Sequence, residues 1–508
     1  MYIEPNTLLR VLCDVPLDIK YEHTINFKSK EEQTDYFVSK TYRLFPNHTF
    51  QRAESGVVKV KANAEQLYGC NYIMFQNSSF GTKWFYGFIT GVDYISNEVT
   101  KIEYTIDVMQ TWAFDYTLTE CYVEREHVLD DTIGANIIDE GIDFGGHVML
   151  SQSTHFYNDW SVVIQYAPKT LAWLMEKITT IPDTKGGWYN GLYSGCGYYR
   201  FLASQTDEIN TQIYELLSTG YDIVNIYMCP NDFFGDEEQS SVLSVSNTRP
   251  NSYGGYTPKN NKLLCFPYTY LKVSNNLGVS CDFEFERMES GRLALVQYVN
   301  YINKAEVMYV PLRYDGVDKN YAHCISITDF PVCCWQENGF LSYLGSGAIA
   351  NAVGGSFVDK EYGNTRAEYS EKINKDRLTD LRNINTVSNV MNTFTKVANQ
   401  PTIQGNVGSG YVQSAKRIQG LVFQTVGIKA EYAKMLDDFF TKYGYKVNTI
   451  KKPNISGRPY WNYCKTIGCT VVGKLPADDI SKICEIFDNG ITFWHNPNVV
   501  GNYSLNNK

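Results

Sequence analysis

The chain has 508 residues, a formal net charge of −10 and 44% hydrophobic residues. This length exceeds what one hydrophobic core organises, so we expect two to four domains. The acidic balance argues against a dedicated nucleic-acid-binding protein, although it permits a surface that DNA slides past. With 39 Tyr and 26 Phe, the composition favours strands over helices.

Nothing in the chain indicates export or a permanent membrane anchor. The start, MYIEPNTLLRV, lacks a basic segment followed by an apolar one, so no signal peptide is expected. No run of about 18 strongly apolar residues occurs, so no constitutive transmembrane helix is expected. The 13 Cys show no paired spacing and the seven His no HxH or HExxH pattern. We therefore expect no metal site and mostly buried, free thiols, as in a protein made in a reducing cytoplasm.

Residues 1–158 are predicted to form an N-terminal β domain that contains one clear hairpin. Its first arm covers residues 84–95, its turn 96–98 and its second arm 99–112. The second arm alternates apolar and polar residues, which is typical of a strand with one wet face. The apolar positions are Ile102, Tyr104, Ile106 and Val108. Arms of this length suit a barrel or tube wall better than a small sandwich.

Residues 159–262 are expected to form a mixed α/β insert domain. A strand is predicted at 160–166 and a short helix at 170–179. Residues 206–219 are predicted to be helical, because a glycine follows and apolar side chains recur at helical spacing. These side chains are Ile209, Ile213, Leu216 and Leu217.

Residues 263–338 and 414–508 are expected to form a second β domain with C-terminal helices. One helix is marked by apolar residues from Ile428 to Tyr443 and ends at Gly444, and another begins at Pro476 and stops at Asn489. Short aromatic pieces in the last quarter indicate a small, interlocked module that docks onto something. They carry Tyr445, Tyr460, Trp461, Tyr463, Phe493 and Trp494.

Residues 339–413 interrupt the β pattern and predict a long inserted loop. Its first part, GFLSYLGSGAIANAVGGSF, is small, apolar and uncharged, and an amphipathic stripe follows over residues 378–394. The segment is either a Gly-rich linker or buried small-residue helix, or a sequestered apolar element that later enters a bilayer. The candidate plug or membrane-active residues are Phe340, Leu341, Leu344, Ile349, Val353, Phe357, Met391, Phe394 and Val397.

Catalytic motifs are mostly missing from the sequence. GNVGSG at 405–410 lacks the Lys-Ser/Thr ending of a phosphate-binding loop. The best enzyme-like set is Asp282, Glu284 and Glu286, which would share one strand face and could suit glycoside hydrolysis. Three acids on one strand face are more often a solvated stripe. We therefore expect no catalytic, cofactor-binding or metal-binding residues.

Two stretches resemble one protein family. The first covers residues 85–131, from FYGFITGVDYISNEVTKIEYTIDVMQTWAFDY to CYVEREHVLDD, and continues through an Asp- and Gly-rich segment. The second covers residues 431–495 and includes EYAKMLDDFFTKYGYKVN, WNY and NGITFWH. Together they resemble the tail knob (distal tail tube) proteins of small phi-twenty-nine-like podophages.

The resemblance implies a virion structural protein of the tail tip rather than an enzyme, with no cofactor. It implies a mainly β (α+β), multi-domain fold whose antiparallel β-barrel domains form a tube. The implied partners are five further copies in a homo-hexamer, other tail proteins of the lower collar or tail tube, and viral DNA passing through the lumen without sequence recognition. Loop 339–413 would plug the channel and then contact host membrane lipid.

Two other functions stay open from the sequence. One is a carbohydrate-active or receptor-binding tail protein that uses exposed aromatics and the acidic residues at 282–286. The other is a soluble phage protein that needs its own chaperone and never forms pores.

Overall fold

The structure is a computed structural model. It describes residues 6–48, 56–78, 81, 83–157, 159–168, 188–189, 192–193, 197–218, 221–234, 242–245, 247–275, 278–300, 305–328, 330 and 420–508. The chain forms two compact units. Unit 1 consists of Met1–His147, Asn251–Tyr268 and Ile428–Lys508, and unit 2 of Val148–Pro250 and Thr269–Gly427. The division into two β domains, a mixed insert domain and an inserted loop, expected from the sequence, stays a prediction.

The described residues form 26 strands and five α-helices. The strands are β1 Thr7–Cys13, β2 His23–Ile25, β3 Thr41–His48, β4 Val57–Val60, β5 Cys70–Asn77, β6 Phe85–Ser96, β7 Val99–Ile106, β8 Tyr116–Leu118, β9 Cys121–Glu126, β10 His147–Phe156, β11 Trp160–Pro168, β12 Trp188–Tyr189, β13 Leu192–Tyr193, β14 Gly197–Leu202, β15 Tyr221–Pro230, β16 Val242–Ser244, β17 Tyr270–Ser274, β18 Ser280–Phe283, β19 Ala294–Asn300, β20 Glu306–Leu312, β21 Ile325–Ile327, β22 Gly420–Ile428, β23 Tyr445–Lys451, β24 Trp461–Ile467, β25 Val471–Gly473 and β26 Ile491–Trp494. The helices are α1 Lys30–Ser39, α2 Val108–Thr111, α3 Thr206–Ser218, α4 Ala430–Tyr443 and α5 Ala477–Asn489. This content confirms the mainly β fold with helices that was expected.

Unit 1 contains a six-stranded antiparallel sheet in the order β3-β1-β5-β6-β7-β4. Alternate residues of its central strands enter two different cores. Val11 and Ile73 belong to one apolar cluster, and Leu12 and Met74 belong to another. Successive side chains of a strand point to opposite sides of its sheet, so both faces of this sheet are buried.

The hairpin predicted at residues 84–112 is confirmed as β6 and β7, but its second arm is shorter than expected. Ile102 and Tyr104 are buried, whereas Lys101 and Glu103 lie on the half-exposed face. The strand ends at Ile106 because the Asp107 carboxylate accepts a hydrogen bond from the Gln110 backbone N–H at 3.1 Å. This contact caps α2, so residues 108–111 turn into a helix.

Unit 2 contains two four-stranded sheets and one three-stranded sheet around a single apolar cluster. Their orders are β10-β22-β17-β18, β16-β19-β20-β21 and β14-β11-β15. The strand predicted at 160–166 is confirmed as β11. The helix predicted at 206–219 is confirmed as α3, with Ile209, Ile213 and Leu216 buried. The helix predicted at 170–179 and the whole 339–413 loop lie outside the described residues.

The three acidic residues at 282–286 do not share a strand face. Strand β18 ends at Phe283, and Phe285–Arg287 forms a 3-10 turn. Glu284 pairs with Arg287 at 2.7 Å, and Glu286 pairs with Arg249 at 3.4 Å. The expected face is therefore wrong, because the chain leaves the strand before the second carboxylate.

One pair of cysteines also departs from the expectation of free thiols. Cys13 and Cys70 form a disulfide between the paired strands β1 and β5. Eight further cysteines in the described part of the chain are free, and five of these are buried. The pairing depends on strand register across 57 residues, which cysteine spacing alone does not reveal.

Candidate functional site in the C-terminal module

The C-terminal module is the part of unit 1 built on a five-stranded sheet in the order β2-β26-β24-β9-β23. Its strands are rich in aromatic and β-branched residues, which favour strands. Strand β2 pairs in parallel with β26, and all other pairings are antiparallel. The sheet thus joins two strands from the first quarter of the chain to three strands from its last quarter in one layer.

Two helices with clear sequence boundaries pack with this sheet, and both are confirmed. Helix α4 ends at Tyr443, where Gly444 has φ +67° and lies so close to the Glu126 carbonyl that a Cβ would stand 2.1 Å from its oxygen. Pro476 directly precedes α5, and Gly490 follows it with φ +92°. Glycine is required at both ends because other residues rarely adopt a positive φ.

The aromatic residues of the last quarter form the interior of the module. Trp461 and Trp494 are fully buried with ring centroids 5.1 Å apart, and Tyr503 packs against both rings. Tyr445 and Phe493 are also buried, whereas Tyr460 and Tyr463 are half-buried. The module is interlocked as predicted, but these four buried rings hold it together and are not available for docking.

His127 joins β9, β24 and α4. Its Nδ1 accepts a hydrogen bond from the Tyr463 backbone N–H at 2.7 Å, and its Nε2 lies 3.1 Å from the Thr441 carbonyl oxygen. Because Nδ1 is an acceptor, the ring proton must sit on Nε2 and point to that carbonyl. Burial lowers the pKa of His127 to about 4, so the ring is neutral at pH 7.

The segment at 128–146, which links β9 to β10, is held by buried charges. The Glu140 carboxylate is fully buried and contacts both Arg125 and Lys262, and it also accepts a hydrogen bond from the Lys446 backbone N–H at 3.0 Å. Burial lowers the pKa of Lys262, and the contact with Glu140 opposes that shift. A buried carboxylate with three donors is well satisfied, so it fixes the segment in one position.

Two further carboxylates anchor neighbouring segments in the same way. Asp131 accepts hydrogen bonds from the Tyr445 hydroxyl at 2.5 Å and from the Lys508 ammonium at 2.9 Å. Asp437, which is 1% exposed on α4, accepts one from the Tyr256 hydroxyl at 2.5 Å and others from Asn260. Asp131 and Glu140 belong to the Asp- and Gly-rich segment of the family resemblance. The sequence does not show which residues of the same chain they contact.

No group of three or more His, Cys, Asp or Glu within the described ranges could hold a metal ion. Among the helices that the structure describes, none combines the length and apolar character needed to cross a membrane. The nine candidate plug or membrane-active residues, from Phe340 to Val397, lie outside the described residues.

Comparisons with known proteins agree with this framework. Residues 335–508 match the family described as Bacillus phage phi29, Tail knob protein gp9, C-terminal domain. Residues 5–117, which contain the six-stranded sheet, match the family described as Caudoviral major tail protein N-terminus.

Similarity to individual proteins covers the whole chain. The tail knob proteins gp9 of Bacillus phage PZA and Bacillus phage phi29 are each 26% identical to it, over 99% of this chain and 98% of theirs. The solved structure of the bacteriophage C1 tail knob protein, gp12, is 15% identical and covers 98% of both chains with a TM-score of 0.59, which shows a shared fold. The chain is therefore a structural tail knob protein of a phage virion, similar throughout its length to those of the phi29-like phages.

Proposed function

We propose that six copies of this chain form the distal tail knob tube, through which the genome leaves the virion. We further propose that the 339–413 loops plug the channel and then penetrate the host membrane. The similarity to tail knob proteins over 99% of the chain carries this proposal. The matched C-terminal domain, residues 335–508, includes the entire loop.

The charge of the chain supports a conduit for DNA. Six copies with a net charge of −10 each would bring −60 to one ring. A wall with a net negative charge repels phosphate, so DNA would pass without being retained and without sequence recognition.

The composition of the loop supports a role at the membrane. Residues 339–357 carry no charged side chain and include six of the nine candidate residues, from Phe340 to Phe357. Small residues permit close packing of helices from several copies, and an amphipathic stripe can lie in the membrane interface. One copy alone is only marginally long and apolar enough to span a bilayer of about 30 Å.

The first test is the mass of the purified chain by light scattering, followed by negative-stain imaging. We expect a ring or short tube of six subunits with an axial opening. The contrary result is a compact monomer that stays monomeric when the adjoining tail proteins are added.

The loop is tested by deleting residues 340–412. Its described neighbours in sequence, Phe330 and Gly420, both lie in unit 2. The deletion variant should still assemble and should lose the ability to release dye from liposomes. A matched full-length variant carries Ile349→Asp and Val353→Asp. It places two charges in the apolar part of the loop and so tests its apolar character without changing its length. Dye release by assembled rings that lack the loop would refute its membrane role.

The glycosidase alternative has no support from the geometry at 282–286. Glu284 and Glu286 are each engaged by an arginine, and both follow the end of strand β18 instead of sharing one of its faces. Wall-polymer cleavage by the wild-type chain that disappears in a Glu284→Gln, Glu286→Gln variant would revive that alternative.

A further inference from the structure

A cavity of about 300 Å³ lies within the C-terminal module, and its lining is positively charged. Arg458, Lys259 and Lys508 contribute to its wall, and no Asp or Glu side chain does. We propose that this cavity binds a small oxyanion, a phosphate or a carboxylate. Neither the similarity to tail knob proteins nor the proposed conduit assigns such a site, and the inference does not depend on assembly.

Arg458 supplies the central observation. Its guanidinium donates to two neutral carbonyl oxygens, of Val128 at 2.7 Å and of Asn507 at 3.5 Å. Within the described ranges it makes no ion pair, and its Nε is buried without a hydrogen-bond partner. Because no carboxylate balances the guanidinium, its positive charge remains at the cavity wall, where it favours an anion.

A second cation at the cavity also lacks a counter-charge. The exposed Lys259 ammonium has no carboxylate within ion-pair distance among the residues that the structure describes. The nearby Asp437 carboxylate is already occupied by donors that include the Lys259 backbone N–H at 2.8 Å. Lys508 differs because Asp131 neutralises it at 2.9 Å. The cavity therefore keeps two uncompensated positive charges, which favour an anion.

The wall that carries these charges is held rigidly. The buried side chain of Asn507 accepts hydrogen bonds from the backbone N–H groups of Tyr460 and Trp461 at 3.0 and 3.1 Å. It also donates to the Trp461 carbonyl oxygen at 2.7 Å. The positive charge of Arg458 also helps to keep the pKa of His127, another lining residue, low, although burial is the main cause. The part of the wall around Asn507 is thus held in place by the fold itself, which lowers the entropy lost on binding.

The size of the cavity decides between classes of anion. A volume of about 300 Å³ lies at the lower end of the range for small-molecule pockets. It suits an oxyanion with a few heavy atoms, which cationic donors in the lining can contact through charge-assisted hydrogen bonds. A DNA duplex cannot enter a pocket of this size, so phosphate groups within a duplex are not the proposed ligand.

The test is calorimetric titration of the full-length chain with inorganic phosphate and, separately, with citrate, at constant ionic strength. We expect saturable binding of at least one anion, weakened about tenfold or more in Arg458→Gln. Lys259→Gln should weaken it severalfold. Lys452→Gln removes an exposed lysine outside the cavity and should leave binding unchanged.

The two anions identify the source of the ligand. Binding of phosphate alone assigns the site to phosphates, and binding of citrate alone assigns it to carboxylates. Because Arg458 also holds the Val128 carbonyl, its variant could fold poorly, and the exposed Lys259→Gln then decides. The proposal is overturned if neither anion binds saturably, if Lys259→Gln and Lys452→Gln bind alike, or if a short DNA duplex binds while both small anions do not.

Discussion

His127 should make the stability of the C-terminal module depend on pH. Burial holds its pKa at about 4 in the folded chain, whereas an unperturbed histidine has a pKa of about 6.5. The folded state therefore resists protonation, and the unfolded state accepts a proton as the pH falls below about 6.5. The stabilising effect of a neutral His127 is present above that pH and is lost progressively as the pH falls from about 6.5 to about 4.

Proton linkage gives the size of this effect. Between pH 7 and pH 5 these two pKa values remove about 2 kcal/mol from the free energy of unfolding. Asp107 acts in the opposite sense, because burial raises its pKa to about 6 and protonation near pH 5 then favours the folded state. The wild-type pH profile combines both effects, so only the difference between wild type and a His127 variant isolates the histidine.

The variant is His127→Gln, which keeps an amide donor for Thr441 and cannot titrate. Urea unfolding, followed by tryptophan fluorescence at pH 7 and pH 5, gives the stability difference between the two proteins. That difference should shrink by about 2 kcal/mol at pH 5, since only the wild type loses the histidine contribution. An equal difference at both pH values would refute the reasoning, because it would mean that the folded ring titrates like an exposed one.

Three further changes test the framework of unit 1 by thermal unfolding. Glu140→Gln leaves buried cations without a counter-charge and should destabilise by about 3–5 kcal/mol, whereas adding Lys262→Met should recover part of this loss. Gly444→Ala should cost more than about 3 kcal/mol because its Cβ meets a carbonyl oxygen, whereas Gly141→Ala, also at positive φ but in open space, should cost about 1 kcal/mol. Cys13→Ser should lower stability by up to about 4 kcal/mol and remove the sensitivity of the melting temperature to reductant.

Local signals in the sequence predicted local structure well. Pro476 and Gly490 bracket α5, and Gly444 ends α4, because the backbone constraints of proline and glycine act within one turn of a helix. The alternation around Ile102 predicted β7, because successive side chains of a strand point to opposite faces of the sheet. The error at the end of this strand is also local, because Asp107 can continue an alternating pattern or cap a helix, and only the hydrogen bond to Gln110 distinguishes the two.

Contacts between residues far apart in the sequence could not be predicted in this way. The pairing of Ile25 with Trp494 and the disulfide between Cys13 and Cys70 depend on which strands meet, and periodicity carries no information about that. The candidate site was missed for a related reason. Arg458 stands in a stretch that resembles the tail knob family, but its unsatisfied Nε becomes visible only when residues near 128 and 507 enclose it.

The five-stranded sheet of the C-terminal module also dictates when the chain can fold. Its strands come from residues 23–25, 121–126 and 445–494, so the ribosome must release nearly the whole chain before β2 finds its neighbour β26. Until then, the N-terminal strands lack part of their core and leave apolar side chains exposed, and such a nascent chain is prone to aggregate. A chain that stops before residue 491 would therefore lack the strand with which β2 pairs, and this sheet of unit 1 would be left incomplete.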